Sequence, residues 1–131
     1  MMTIGQLIAA LGICKPEAQV KFDFCGLMPC GLHSDRGYYD HAALGWAASE
    51  YWSGARGLKL EQYPTVGSLV RDLRAAIAPD VQFTAWKGGE YSYDENTPLH
   101  VDNDGEANST ELVSVEDLDW RVILHTAHED A

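Results

Sequence analysis

The chain has 131 residues, of which 46% are hydrophobic and 22% charged, proportions of a globular protein rather than a disordered one. Its size fits one domain, large enough to bury roughly two thirds of the surface that the unfolded chain exposes. A formal net charge of −11 argues against binding duplex DNA or RNA through a phosphate-neutralising surface, because that needs clustered Lys and Arg.

In chain order, Thr3 followed by Gln6 matches a capping box, and Ile4, Leu7, Ile8 and Leu11 fall on one face, so the spacing predicts a short amphipathic helix over 3–13. Lys15-Pro16-Glu17 stops it. Residues 19–24 then alternate Val20, Phe22 and Phe24 against Lys21 and Asp23, the period of a half-buried strand. The glycine-rich segment Gly26–Gly37 reads as irregular and 33–41 as a loop. Residues 42–48 and 58–63 read as strands. Thr65 opens a second helix, with Val66, Leu69, Val70, Leu73, Ala76 and Ile77 in one stripe. Val81–Trp86 is expected as a strand, Gly88-Gly89 as a turn and Tyr91–Tyr93 as a short extension. Leu99 and Val101 predict another strand before an Asp102–Gly105 turn. Leu112–Val115 and Trp120–Leu124 predict a closing hairpin around Glu116–Asp119. The fold class is therefore α+β, two short amphipathic helices packed on a mostly antiparallel sheet.

Thr3-Ile4-Gly5-Gln6-Leu7 returns 62 positions later as Thr65-Val66-Gly67-Ser68-Leu69. Each copy leads to a proline and an alternating run, Pro16 with Val20–Phe22 and Pro79 with Val81–Phe83. Farther on, Gly37-Tyr38-Tyr39-Asp40 faces Gly89-Glu90-Tyr91-Ser92-Tyr93-Asp94. These echoes predict an internal duplication of a helix, strand, glycine-tyrosine-aspartate loop and strand, with halves of about 1–64 and 65–131 and a ligand site at their seam.

Two segments carry the candidate ligand-binding residues. The first holds Arg36, Tyr38, Tyr39 and Asp40: an arginine can hold phosphate or carboxylate bidentately, and tyrosine faces stack on bases. The second holds Trp86, Lys87, Gly88, Gly89 and Tyr91, where paired glycines expose backbone amides to an anion and Lys87 adds a charge. Ordinary loop packing and a simple hairpin turn are the competing readings. Cys14, Cys25, Cys30, His33 and His41 match no standard zinc spacing, and the thiols read as buried structural cysteines, so no metal and no cofactor are expected. Asp102–Glu106 resembles the opening of a calcium loop but has no Glu at its twelfth position. A Cys-His or His-Asp pair could be assembled from Cys30, His33, His41 and Asp40, although no nucleophile elbow supports it. The odd number of cysteines fits a reducing compartment, and Met1–Gly5 lacks the basic region of a secretory signal, so a cytoplasmic location is expected.

Arg36-Gly37-Tyr38-Tyr39 with Ala43-Leu44-Gly45, and Trp86–Tyr91 with Thr97–Val101, are the motifs by which the chain resembles a family of small accessory proteins encoded by tailed phages and prophages. The resemblance covers nearly the whole chain and implies a setting, the cytoplasm of a bacterial host, with action against or upon host machinery. Three functions follow as expectations. The first is non-catalytic sequestration of a small anionic or nucleotide-derived ligand as a counter-defence. The second is acidic inhibition of a host nucleic-acid-binding defence complex such as a CRISPR effector. The third is a small hydrolase using His33 or His41. Sheet edges left by a closing hairpin would also allow a homo-oligomer.

Overall fold

The computed structural model describes residues 2–35, 38–46, 62–84, 88–102 and 109–127. In chain order these form α1 (Ile4–Leu11), β1 (Gln19–Phe22), β2 (Pro29–Asp35), β3 (Tyr38–Trp46), α2 (Val66–Ala76), β4 (Phe83–Thr84), β5 (Glu90–Tyr91), β6 (Leu99–Asp102), β7 (Ser109–Asp117) and β8 (Arg121–Thr126). Six strands make one mixed sheet in the order β1-β8-β7-β6-β3-β2, and β4 and β5 form a separate antiparallel pair. β1–β8 and β3–β6 are parallel, and the other ladders of the large sheet are antiparallel. The chain is thus α+β, as the periodicities predict.

Both helices start as their sequences dictate. The Thr3 hydroxyl accepts from the Gln6 amide at 3.2 Å and the Gln6 side chain accepts from the Thr3 amide at 2.9 Å. Thr65 and Ser68 repeat this exchange at 3.2 and 3.1 Å. Each box satisfies two amides that a helix start otherwise leaves orphaned. α1 ends earlier than expected, at Leu11, where the Gly12 amide donates to Ile8 O. Ile4, Leu7 and Leu11 of α1 and Val66, Leu69 and Leu73 of α2 are buried against Val20, Phe22, Ala42, Leu44, Leu99, Val101, Leu112, Val122 and Leu124 of the sheet. Complete burial of one such leucine is worth about 1.5–3 kcal/mol, so this shared core decides where the helices sit.

The segment expected to be irregular is largely strand. Pro29–Asp35 is β2, and Tyr38–His41 belongs to β3 rather than to a loop. Gly31, at φ +75°, sits at a one-residue bulge in β2, which is why glycine marks a strand there without ending it. The expected strand over 81–86 is described as strand only at Phe83–Thr84. Residues 58–61 of the expected strand 58–63, and residues 103–105 of the expected turn, lie outside the described residues. The closing hairpin forms as expected: the Asp119 amide donates to Asp117 Oδ1 at 2.9 Å, and Asp119 adopts φ +71°.

The two Thr-x-Gly starts are docked alike. Ile4 and Gly5 donate to Thr97 O and Glu95 O at 3.0 and 2.9 Å; Val66 and Gly67 donate to Ala18 O and Pro16 O at the same two distances. Met2 O accepts from Leu99 N, and Pro64 O from Val20 N. The later echoes do not coincide in space. β1 lies in the six-stranded sheet, whereas β4, the strand after Pro79, lies in the two-stranded one. Tyr38–Asp40 belong to the large sheet, but Tyr91 belongs to the small one.

Candidate functional site

The small β4–β5 sheet holds the second predicted loop. Phe83 pairs with Tyr91 across the ladder, and their rings stack with centroids 5.4 Å apart. Tyr93 is buried and meets Phe83 at 5.0 Å and Tyr91 at 5.6 Å, so the three rings support one another. Gly88 and Gly89 are exposed at φ +89° and +79°, and nothing lies within 4 Å of where a Cβ would stand. Gly88 and Gly89 therefore present bare backbone, next in the chain to a strand whose Tyr91 belongs to this aromatic trio. Trp86 and Lys87 lie outside the described residues.

Of the first predicted cluster, Arg36 also lies outside the described residues, and Tyr38, Tyr39 and Asp40 are placed as backbone of β3. Their strand is fixed by its neighbours: Ala42, Ala43 and Leu44 pair with Leu99, His100 and Val101 of β6.

That register creates a polar row which local sequence reading misses. In the ladders, His33 of β2 stands opposite Ala43 of β3, Ala43 opposite His100 of β6, and His100 opposite Glu111 of β7. His41 stacks on His100 with ring centroids 5.2 Å apart and planes 24° from parallel. Asp102, two residues on from His100, is fully buried, and its backbone carbonyl accepts from Trp46 Nε1 at 2.8 Å. The only sequence signal for this row is the His-x-Asp alternation at 100–102, which places both side chains on one face of a strand.

A second polar group is drawn from β7, β8 and the residue after β1. Asp23 accepts from the Thr126 amide at 3.1 Å and hydroxyl at 3.0 Å. His125 places Nε2 2.8 Å from Glu116 Oε1 and Nδ1 3.5 Å from Asp23 Oδ2, so an imidazole sits between two carboxylates. Asp23, His125 and Glu116 come together only through the β1–β8 and β7–β8 registers.

The thiols are placed as structural side chains. Burial raises the pKa of Cys14, with Asp117 adding to the effect, and burial alone raises that of Cys30. Cys25 is half-buried. Among the described residues, no three His, Cys, Asp or Glu side chains converge to hold a metal ion, and no helix is long and apolar enough to cross a membrane. An apolar groove of about 200 Å³ runs between β1 and Gly26–Met28, with Pro64 at its rim; its described lining includes none of the predicted binding residues.

No protein-family model, curated protein or solved structure matches the chain.

Proposed function

We propose that this protein is a non-catalytic binder of a small anionic, nucleotide-like ligand, acting as a phage counter-defence factor in the bacterial cytoplasm. The observation that carries this reading is the Gly88-Gly89 turn, exposed, left-handed at both residues and open above the backbone. Amides on such a turn can donate to phosphate oxygens without a side chain in the way. Lys87, next in the chain, supplies a cation, and Arg36 with Tyr38, Tyr39 and Asp40 completes the predicted set. The test is isothermal titration with a panel of cyclic dinucleotides and linear nucleotides, repeated on Lys87→Ala and Arg36→Ala. Stoichiometric binding that falls at least tenfold in both variants supports the reading. Equal retention of every bound probe by both variants refutes it.

A second reading, inhibition of a basic host defence protein, draws on a different place. At the β7–β8 turn, Trp120 is 61% exposed and Leu118 42% exposed, beside exposed Glu116, Asp117 and Asp119. Lys15 lies 4.0 Å above the Trp120 ring and 3.0 Å from Asp119 Oδ1, so the cation nearest the ring is already engaged. Association with a nucleic-acid-binding complex that weakens with salt and fails in Trp120→Ala is the expected result for this reading.

The duplication belongs to this proposal too. The identical docking of the two Thr-x-Gly starts supports it, with halves joined differently from the pairing suggested by Pro16 and Pro79.

A further inference from the structure

The two helix starts dock in sockets, and each socket belongs to the other half of the chain. α1 is held by Glu95 and Thr97, in the turn before β6; α2 is held by Pro16 and Ala18, in the turn before β1. The match extends residue by residue. Thr3 bridges to Pro98 and Thr65 bridges to Gln19, both antiparallel, while Leu99 donates to Met2 O and Val20 to Pro64 O. The socket strands then read alike, Val20-Lys21-Phe22-Asp23 and Leu99-His100-Val101-Asp102, apolar at alternate positions and ending in aspartate.

The sheet order carries the same relation further. β1-β8-β7-β6-β3-β2 divides into two trios, β1-β8-β7 and β6-β3-β2. In each, the socket strand runs parallel to the second strand of a hairpin, β1 with β8 and β6 with β3. In each, that strand is antiparallel to the first strand of its hairpin, and the hairpin carries a one-residue bulge, between Leu112 and Ser114 or between Cys30 and Leu32. Every trio mixes the halves: β1 comes from the first and its hairpin from the second, and β6 comes from the second and its hairpin from the first.

We propose that the protein is a fused, reciprocally exchanged pair of α-β-β-β units, α1-β1-β2-β3 and α2-β6-β7-β8, with β4–β5 inserted into the second, in which each unit is completed by the other unit of the same chain or, where the connection is too short to close, by that of a second copy. The proposal deepens the duplication stated above and is independent of any ligand. Because β1 pairs with β8 and β6 with β3, the socket strand of each unit is paired by the hairpin of the other, so the units are completed only by exchange.

The connection at residues 47–61 gives the test. Gln62 bridges to Cys30 on the edge of β2 away from β3, and Gly45 pairs with Cys30 on the other edge. Two strand spacings of about 4.8 Å therefore separate the two sides, roughly 9.6 Å. Deleting residues 47–61 joins Trp46 directly to Gln62, whose Cα atoms can then stand only about 3.8 Å apart. One copy cannot close, but two copies exchanging units can. Light scattering and circular dichroism are expected to show twice the parent's assembly mass with the parent's spectrum. A folded deletion variant with the parent's mass overturns the proposal. If the deletion variant is unfolded, the full-length chain carrying a protease site within 47–61 decides. After cleavage the two pieces are expected to co-elute with the native spectrum, and, once separated in denaturant and refolded, to regain it only when mixed. Either piece regaining a cooperative fold alone overturns the proposal.

Discussion

Gly5→Ala tests the helix sockets through a conflict between local propensity and tertiary fit. In a helix, alanine is favoured over glycine by at most about 1 kcal/mol, so the sequence alone predicts a gain. The socket predicts the opposite. A Cβ on residue 5 would stand 2.8 Å from both Glu95 Cβ and Glu95 O, closer than real Cβ contacts come. To relieve this, α1 must retreat from the turn and stretch the 2.9 Å bond from Gly5 N to Glu95 O. Overpacking costs about 1–3 kcal/mol and an amide left without its partner a similar amount, so after the propensity gain the net loss is about 1–5 kcal/mol. Gly67→Ala is the internal control: its Cβ would meet Pro16 O at 3.2 Å, a contact relieved by a shift of a few tenths of an ångström, and a net change within about 1 kcal/mol is expected. Urea unfolding followed by tryptophan fluorescence measures both. A neutral or stabilising Gly5→Ala, or a Gly67→Ala that costs more, would refute the reasoning.

Further expectations rest on single contacts. Thr3→Ala and Thr65→Ala should each cost about 1 kcal/mol by the same assay, because each removes one side of a capping box. Leu44→Ala should cost about 2–5 kcal/mol, since Leu44 of β3 is fully buried in the core shared with the helices. Iodoacetamide, followed by mass spectrometry, should modify Cys25 before Cys14 and Cys30, whose thiols burial holds in the protonated form. The sign for stability follows from the same shifts. Raised folded-state values favour the native state below the ordinary value of 9.0, and that contribution is lost as pH rises through the folded values. Denaturation midpoints should therefore fall above about pH 9, and fall less in Cys14→Ala.

The helices were legible because their signals are local: a capping threonine, a partner three residues on and a 3.6-residue stripe all lie within one window. β1 and the closing hairpin were legible for the same reason. β2 was not, because Cys30, Gly31, His33 and Ser34 look like turn residues until β3 pairs with them. The Thr-x-Gly echo was visible, but its meaning was not: Gly5 and Gly67 are small because Glu95 and Pro16 press on them, and those neighbours lie far away in the chain. The echo after Pro79 misled for a related reason, since the strand that docks a helix start as β1 does is β6, which comes after the β4–β5 pair. The stacking of His41 on His100 needs the β3–β6 register, which no alternation within either strand specifies.

Gln19 pairs with Arg121, and that one ladder sets a schedule for synthesis. The paired residues stand about a hundred positions apart, so β1 must wait beside the ribosome while that many further residues are translated. Folding should therefore begin late and slowly, as expected where contacts are distant along the chain. Until β8 arrives, the apolar side of β1 is a surface open to a nascent-chain chaperone.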